Sequence, residues 1–306
     1  MDDLILLKGS TLENCNLCPR NCGVNRLAGK KGYCKASYKL KVARAALHHW
    51  EEPCISGKKG SGTVFFSNCN LRCVFCQNYE ISEESAGTEI SIERLSDIFL
   101  ELQASGANNI NLVTPTHYVP QIVAAVNMSK ASGLFIPILY NCSGYENIET
   151  IKLLKGTIDV YLPDLKYYSS KYSTKYSKAP DYFLKASEAI KEMVNQVGSP
   201  KFENGLIKKG VIVRHLMLPG LLFDSKKIID FLYNTFKDEI YISIMNQYTP
   251  MENCKLYPEI NKTLKPEHYD ALIDYALNLG VKNGFIQDEG TQSKVFIPSF
   301  NLDGVN

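Results

Sequence analysis

Nowhere in these 306 residues does an apolar run approach the roughly 20 residues that a membrane-spanning helix needs. The opening MDDLILLKGS is acidic and its apolar stretch is short, so it reads as no signal peptide. One-sided charge is missing as well. Thirty-four Lys and Arg against 32 Asp and Glu leave a net +2, which gives no electrostatic footprint for nucleic acid or an anionic membrane. Internal repeats and low-complexity tracts are absent, and no GxGxxG follows the first predicted strand. What is left is a soluble chain, expected in the cytoplasm, whose 45% apolar and 22% charged residues suffice to bury a core.

Cysteine is the abundant exception, with ten in the chain. A chain of this size with no export signal does not need a disulfide framework, and spacings of two and three residues are too tight for one. Such spacings instead gather thiolates round a metal. Cys69, Cys73 and Cys76 form one group, in NCNLRCVFCQN, and Cys15, Cys18, Cys22 and Cys34 form another. Three thiolates on one loop match three corners of an iron–sulfur cubane, whose ordinary complement is four cysteines, so one iron stays open to a small molecule. The competing reading is zinc held by the three cysteines and an outside histidine such as His117.

From Thr63 onward the pattern alternates. Short β-branched and aromatic runs at 63–67, 109–113, 134–140, 157–162, 210–218 and 240–245 predict buried strands. Amphipathic stretches lie between them. One follows Ser91, a predicted N-cap, and others run from about Pro120 to Gly133, Pro180 to Val197, Ser225 to Phe236 and Pro266 to Leu279. Six strand–helix units predict an α/β fold with a parallel sheet, doubly wound or rolled into a barrel. Polar residues stand just past the strand ends: Thr114, Thr116 and His117, Asn141 and Ser143, Asp164 and Lys166, Arg214 and His215, Asn246 and Gln247. Barrel folds keep their chemistry at those loops. The Lys/Tyr/Ser-rich run 166–178 reads as an exposed loop.

The cysteine triplet, with Phe75 before its last member, resembles the loop of the radical S-adenosylmethionine (SAM) superfamily. Its surroundings, GSGTVFFSNCNLRCVFCQNYEIS, are most similar to the branch of the pyruvate formate-lyase activating enzyme. The resemblance, spanning roughly Cys15 to Asp288, implies a partial six-stranded (β/α) barrel over residues 60–290 with a [4Fe-4S] cluster on Cys69, Cys73 and Cys76. It implies SAM on the open iron, an electron donor such as flavodoxin or ferredoxin, and a 5′-deoxyadenosyl radical that abstracts hydrogen, with a protein glycine as the favoured target. VYLPDLK resembles the family's Asp-Leu-Lys strand end and implies that Asp164 and Lys166 lie near SAM. YNCSGY stands where the family has Asp-Thr-Asn-Gly, with Asn141 and Cys142 replacing Asp and Thr ahead of Ser143. VIVRHLMLPG resembles the Arg-containing fifth strand and implies that Arg214 pairs with the SAM carboxylate. The family's Gly-Gly-Glu is missing. TPTHYVPQ (114–121) replaces it, which leaves neutral His117, or the hydroxyls of Thr114 and Thr116, to accept from the SAM amino group. The rival from another class is a metal-binding electron-transfer protein that never cleaves SAM.

Residues 1–59 read as a cysteine-rich extension and 291–306 as a tail. Four thiols within Cys15–Cys34, with glycines that let the chain turn, predict a closed metal site for zinc or a second [4Fe-4S] cluster. Cys54 reads as a buried structural thiol, and His48 and His49 as surface or packing residues.

Overall fold

The computed structural model describes residues 3, 7, 9–287, 290, 291 and 298–305. Strand β1 (Leu40–His48) is followed by the short helix α1 (Pro53–Ser56), β2 (Ser61–Phe66), α2 (Tyr79–Ser82), β3 (Thr88–Ile90) and α3 (Ile92–Ala104). Then come β4 (Ile110–Val113), α4 (Val119–Ala131), β5 (Ile138–Cys142), α5 (Ile148–Leu153) and β6 (Val160–Pro163). The chain continues through α6 (Ser170–Ser177), α7 (Tyr182–Val197), β7 (Lys201–Glu203), β8 (Leu206–Leu216), α8 (Leu222–Phe236), β9 (Tyr241–Met245), α9 (Pro266–Leu279) and β10 (Gly284–Ile286).

The strands form one sheet in the order β10-β9-β8-β6-β5-β4-β2-β1-β3. From β2 to β10 every pairing along that path is parallel, and β1 joins antiparallel to both β2 and β3. The six expected strands are all present, as β2, β4, β5, β6, β8 and β9, and β10 adds a seventh parallel member. The sheet leaves β10 and β3 as edges, so it is an open barrel. Strands β2, β4 and β6 are buried at every position, as parallel strands covered by helices outside and side chains inside must be.

Helix α3 begins where expected: the Ser91 hydroxyl accepts from the Arg94 backbone N–H at 3.1 Å, and Ile92, Leu95, Ile98, Phe99 and Leu102 form its buried stripe. Two expectations need correction. The sheet starts at Leu40, inside the segment 1–59 expected to be an extension, because β1 buries Leu40, Val42, Ala43 and Ala45 against it. The run 166–178 is not an exposed loop. It contains α6, capped by Ser169, and its Tyr167 and Tyr176 are buried in an aromatic cluster with Tyr182 and Tyr257.

The bottom of the barrel is plugged. Cys54 and Ile55 of α1 pack against Leu139, Val160, Leu162, Ile207 and Ile212, which makes Cys54 a structural thiol. Asn109 of the lumen donates to the Ile55 carbonyl at 2.9 Å and fixes the plug. The described C-terminal residues return to β1, where Ala45 N–H donates to the Asp303 carbonyl at 2.8 Å; the tail residues 292–297 lie outside the described residues. Among the described residues no helix is long and apolar enough to cross a membrane.

Candidate active site

A cavity of about 380 Å³ opens at the C-terminal ends of the parallel strands. Cys69, Cys73 and Cys76 all line it, on the loop that follows β2. Asn68 and Arg72 adopt left-handed backbone (φ 78° and 58°), which curls this loop so that three closely spaced residues face one space. Each sulfur accepts a hydrogen bond: Cys69 from Leu71 N–H at 3.4 Å, Cys73 from the Ser177 hydroxyl at 3.0 Å, and Cys76 from the Ser82 hydroxyl at 3.3 Å. Burial raises all three thiols, Cys73 to about 12, while the Lys166 ammonium works in the opposite direction at every one. The thiols are therefore neutral until a metal displaces their protons.

This donor set fits the iron–sulfur cluster that the motif implies. The ligands are soft thiolates, each sulfur has a hydrogen-bond donor, and a cation stands beside them. Among the described residues no three Cys, His, Asp or Glu side chains already converge as they would on a single ion. A cubane spreads its ligands over separate corners, so that arrangement is compatible with it.

Across the cavity stand the expected strand-end residues Thr114, Asn141, Ser143, Asp164 and Lys166. Lys166 Nζ lies 2.5 Å from Asp164 Oδ2. Burial lowers the Lys166 pKa, but the Asp164 carboxylate beside it works the other way and the net shift is upward. Ser143 Oγ is buried without a hydrogen-bond partner, a polar atom available to a ligand. Gly144 lets this loop cross close beneath: its φ is 77°, and a Cβ there would come within 2.2 Å of the Asp164 carbonyl. Thr114 holds φ 59°, a left-handed conformation that favours glycine, so the loop turns here at the cost of local strain.

Three other expected residues make contacts within the chain. His117 does not face the cavity. Its buried ring places Nε2 2.8 Å from the Ser67 carbonyl, and burial, aided by the Arg26 guanidinium, lowers its pKa to about 3. Neutral His117 therefore braces the strand end that leads into the cysteine loop. Thr116 is likewise turned inward, donating to Glu146 at 2.6 Å. Arg214 does line the cavity, but its guanidinium is already engaged. Nε donates to Glu52 Oε1 at 2.9 Å, and Nη2 contacts both Glu51 and Glu52. In this structure the Arg214 charge is thus matched from within the chain, by Glu51 and Glu52. Glu51 also accepts from Asn111 at 2.8 Å.

Glu51 and Glu52 were not singled out from the sequence. The only local signal was two adjacent acids before a proline, in a segment where the cysteine and histidines draw attention first. Ser82 and Ser177 gave no signal at all, since each is one serine among many. His48, expected at the surface or in packing, lines the cavity edge and meets Phe65 edge-on at 6.3 Å.

The upstream cysteines are placed by a chain with little regular structure. Cys15 N–H donates to the Val24 carbonyl and Gly23 N–H returns to the Cys15 carbonyl, at 3.1 and 2.9 Å. Tyr33 N–H donates to Cys22 Sγ at 3.2 Å. Arg20 ties this segment to the triplet loop, donating to the Asn70 carbonyl at 3.0 Å while its guanidinium stacks on Tyr33 at 4.0 Å.

Comparison with known proteins bears directly on this site. The sequence profile of the Radical SAM superfamily matches residues 63–232. The uncharacterised protein MJ0674 of Methanocaldococcus jannaschii is 30% identical over 290 residues, covering 90% of this chain and 78% of its own. MJ0808 of the same organism is 22% identical over 287 residues, covering 88% and 78%. Among solved structures, the FeFe-hydrogenase maturase HydG of Carboxydothermus hydrogenoformans superposes with a TM-score of 0.52 at 14% identity, over 77% of this chain and 56% of that one. Streptococcus suis SuiB bound to S-adenosylmethionine gives a TM-score of 0.50 at 14% identity, over 73% and 49%. This chain thus spans about half the length of those two structures, and at such identity they bear on fold alone. The matched profile begins in β2, takes in the cysteine loop and runs into α8, so it covers much of the barrel just described. By that match, which takes in more than half of its residues, the chain belongs to the radical SAM superfamily, a family of enzymes that use a [4Fe-4S] cluster and SAM.

Proposed function

We propose that this protein reductively cleaves SAM, acting as an oxidoreductase, and uses the product to abstract a hydrogen atom from a substrate. The observation that carries the reading is the shared cavity: three thiols, each with a hydrogen-bond donor, face strand-end polar groups across a space large enough for a small molecule. Cys69, Cys73 and Cys76 would hold the [4Fe-4S] cluster. When bound, that group supplies the electron that breaks the SAM sulfonium to methionine and a 5′-deoxyadenosyl radical.

The remaining work belongs to the chain. Lys166 offers an ammonium to a carboxylate and Asp164 a carboxylate to an amine, so together they suit the zwitterionic end of SAM. Asn141, Ser143 and the backbone at Thr114 complete that wall, and Met245, Gln247 and Gln287 lie opposite as the wall for the nucleoside. The α1 plug closes the lumen from below and keeps bulk water from the reacting atoms. A low-potential donor of the flavodoxin or ferredoxin kind supplies the electron. The resemblance of residues 60–82 to the activating-enzyme branch supports a protein glycine as target.

Electron paramagnetic resonance of the anaerobically reconstituted, reduced protein tests the reading. Adding SAM should change the cluster spectrum in the wild type, and Lys166→Met should weaken that response roughly ten- to a hundredfold in SAM concentration, the worth of a charge-assisted bond. A reducible cluster indifferent to SAM would favour the electron-transfer rival. The glycine target has its own test. An organic radical must appear on a partner protein and vanish when that partner's glycine is replaced.

A further inference from the structure

Arg26 is fully buried, yet among the described residues none of its hydrogen-bond partners carries a fixed negative charge. Its Nη1 donates to the His117 carbonyl at 2.6 Å, and its Nε and Nη2 donate to the Ser37 carbonyl. Its other neighbours are Cys15 Sγ, 4.0 Å from Nη1, and the Tyr118 ring, whose centroid lies 5.8 Å from the guanidinium carbon. A guanidinium keeps its charge in any protein setting, and a buried charge is costly unless an opposite one meets it. Carbonyl oxygens satisfy its N–H groups without cancelling that charge.

The missing anion has an evident source. Cys15, Cys18, Cys22 and Cys34 are folded onto one another by the backbone: Cys15 N–H donates to the Val24 carbonyl, Gly23 N–H to the Cys15 carbonyl, Asn21 N–H to the Cys18 carbonyl and Tyr33 N–H to Cys22 Sγ. The backbone is moulded round them. A Cβ at Gly32 would come within 2.8 Å of Cys22 Sγ, so only glycine lets the chain cup that sulfur. We propose that these four cysteines hold a four-thiolate metal centre whose excess negative charge is met by Arg26. No three of these thiols already converge as on a single ion, which suits the separate corners of a [4Fe-4S]²⁺ core, and four thiolates round that core leave a dianion that supplies the counter-charge. The site is closed, with all four ligands drawn from this chain, unlike the triplet in the barrel. Through Arg20 it is fastened to the carbonyls of Asn70 and Leu71, within the loop of that triplet. The inference stands apart from the SAM chemistry and does not need it.

The test uses the full chain with Cys69→Ala, Cys73→Ala and Cys76→Ala combined, purified without oxygen, so that any metal left belongs to the upstream site. It should retain iron with sulfide, and X-ray absorption at the iron edge should show four sulfur ligands. Zinc in place of iron would overturn the cluster assignment, and the absorption edge tells the two apart. Adding Cys15→Ser and Cys18→Ser should abolish that metal. Arg26→Met supplies a readout that a merely structural arginine would not give. With metal in place it should lower the melting temperature by about 5 °C or more, because a buried pair is broken. In the Cys15→Ser/Cys18→Ser chain it should raise it, since an unmatched charge is removed. A triple variant without sulfur-bound metal would overturn the proposal. So would an Arg26→Met effect of the same sign and size in both backgrounds. Should the serine variant fail to fold, the absorption spectrum of the quartet-intact chain still decides.

Discussion

Replacing Arg214 with methionine probes the acidic floor of the cavity. The guanidinium side chain is 10% exposed, and those of Glu51 and Glu52 are 11% and 7% exposed. At an effective dielectric of about 20, opposite charges about 4 Å apart attract by about 4 kcal/mol, and desolvation offsets much of it. Removing one member of a buried pair is costlier than that balance suggests, about 3–5 kcal/mol, because the orphaned charge stays buried. Here two carboxylates would be orphaned side by side. Arg214→Met should therefore cost about 4–5 kcal/mol in urea unfolding, a melting shift of about 10 °C or more. The pH dependence gives a second readout. Burial pushes the Glu52 carboxyl up, but Arg214 outweighs burial and holds it below the ordinary 4.5. A carboxyl depressed in the folded state contributes stability that is complete above 4.5 and lost as pH falls through its folded value. Without Arg214 burial dominates, the shift changes sign, and stability should instead fall as pH rises past 4.5. Changing Glu51 and Glu52 to glutamine as well should restore most of the loss. A loss below about 1 kcal/mol with an unchanged pH slope would refute the charge matching.

Glu146 is buried, and burial raises its carboxyl to about 8 despite hydrogen bonds from Thr116 and Tyr140. An acid raised on folding costs nothing below its ordinary 4.5 and loses about 1.4 kcal/mol per pH unit between there and about 8, so Glu146→Gln should flatten the fall in stability across that window, read by denaturant titrations at several pH values. Gly144→Ala should cost more than about 2 kcal/mol and impair SAM binding, because the Asp164 carbonyl occupies the space its methyl needs; calorimetry of stability and of SAM binding checks both.

The parallel barrel was legible because its strands are buried on both faces and its helices carry one apolar stripe. Each signal survives in the local sequence, as Ser91 and the stripe of α3 show. Strand β1 was not, since LKVARAALH mixes alanine with charges and has no period of two. Only its pairing with β2 and β3 makes it a strand. Helix α6 was missed for a similar reason: SKYSTKYS has too few aliphatic residues to show a stripe, and it is held by tyrosine packing. At the site, the cysteine loop, Asp164 and Lys166 declared themselves by spacing and motif. The partner of Arg214 lies 162 and 163 residues away in Glu52 and Glu51, and no local pattern carries such a contact. His117 fell on the right position of a motif but on the wrong side of the backbone.

The central claim is that the open cavity beside Cys69, Cys73 and Cys76 brings SAM to a redox-active cluster. Chromatographic measurement of 5′-deoxyadenosine from the reconstituted protein, with SAM and a strong reductant under anaerobic conditions, tests it most directly. The account predicts slow release of 5′-deoxyadenosine without added substrate, abolished by Cys69→Ala, Cys73→Ala or Cys76→Ala alone. A fully loaded, reducible cluster that yields none would contradict it.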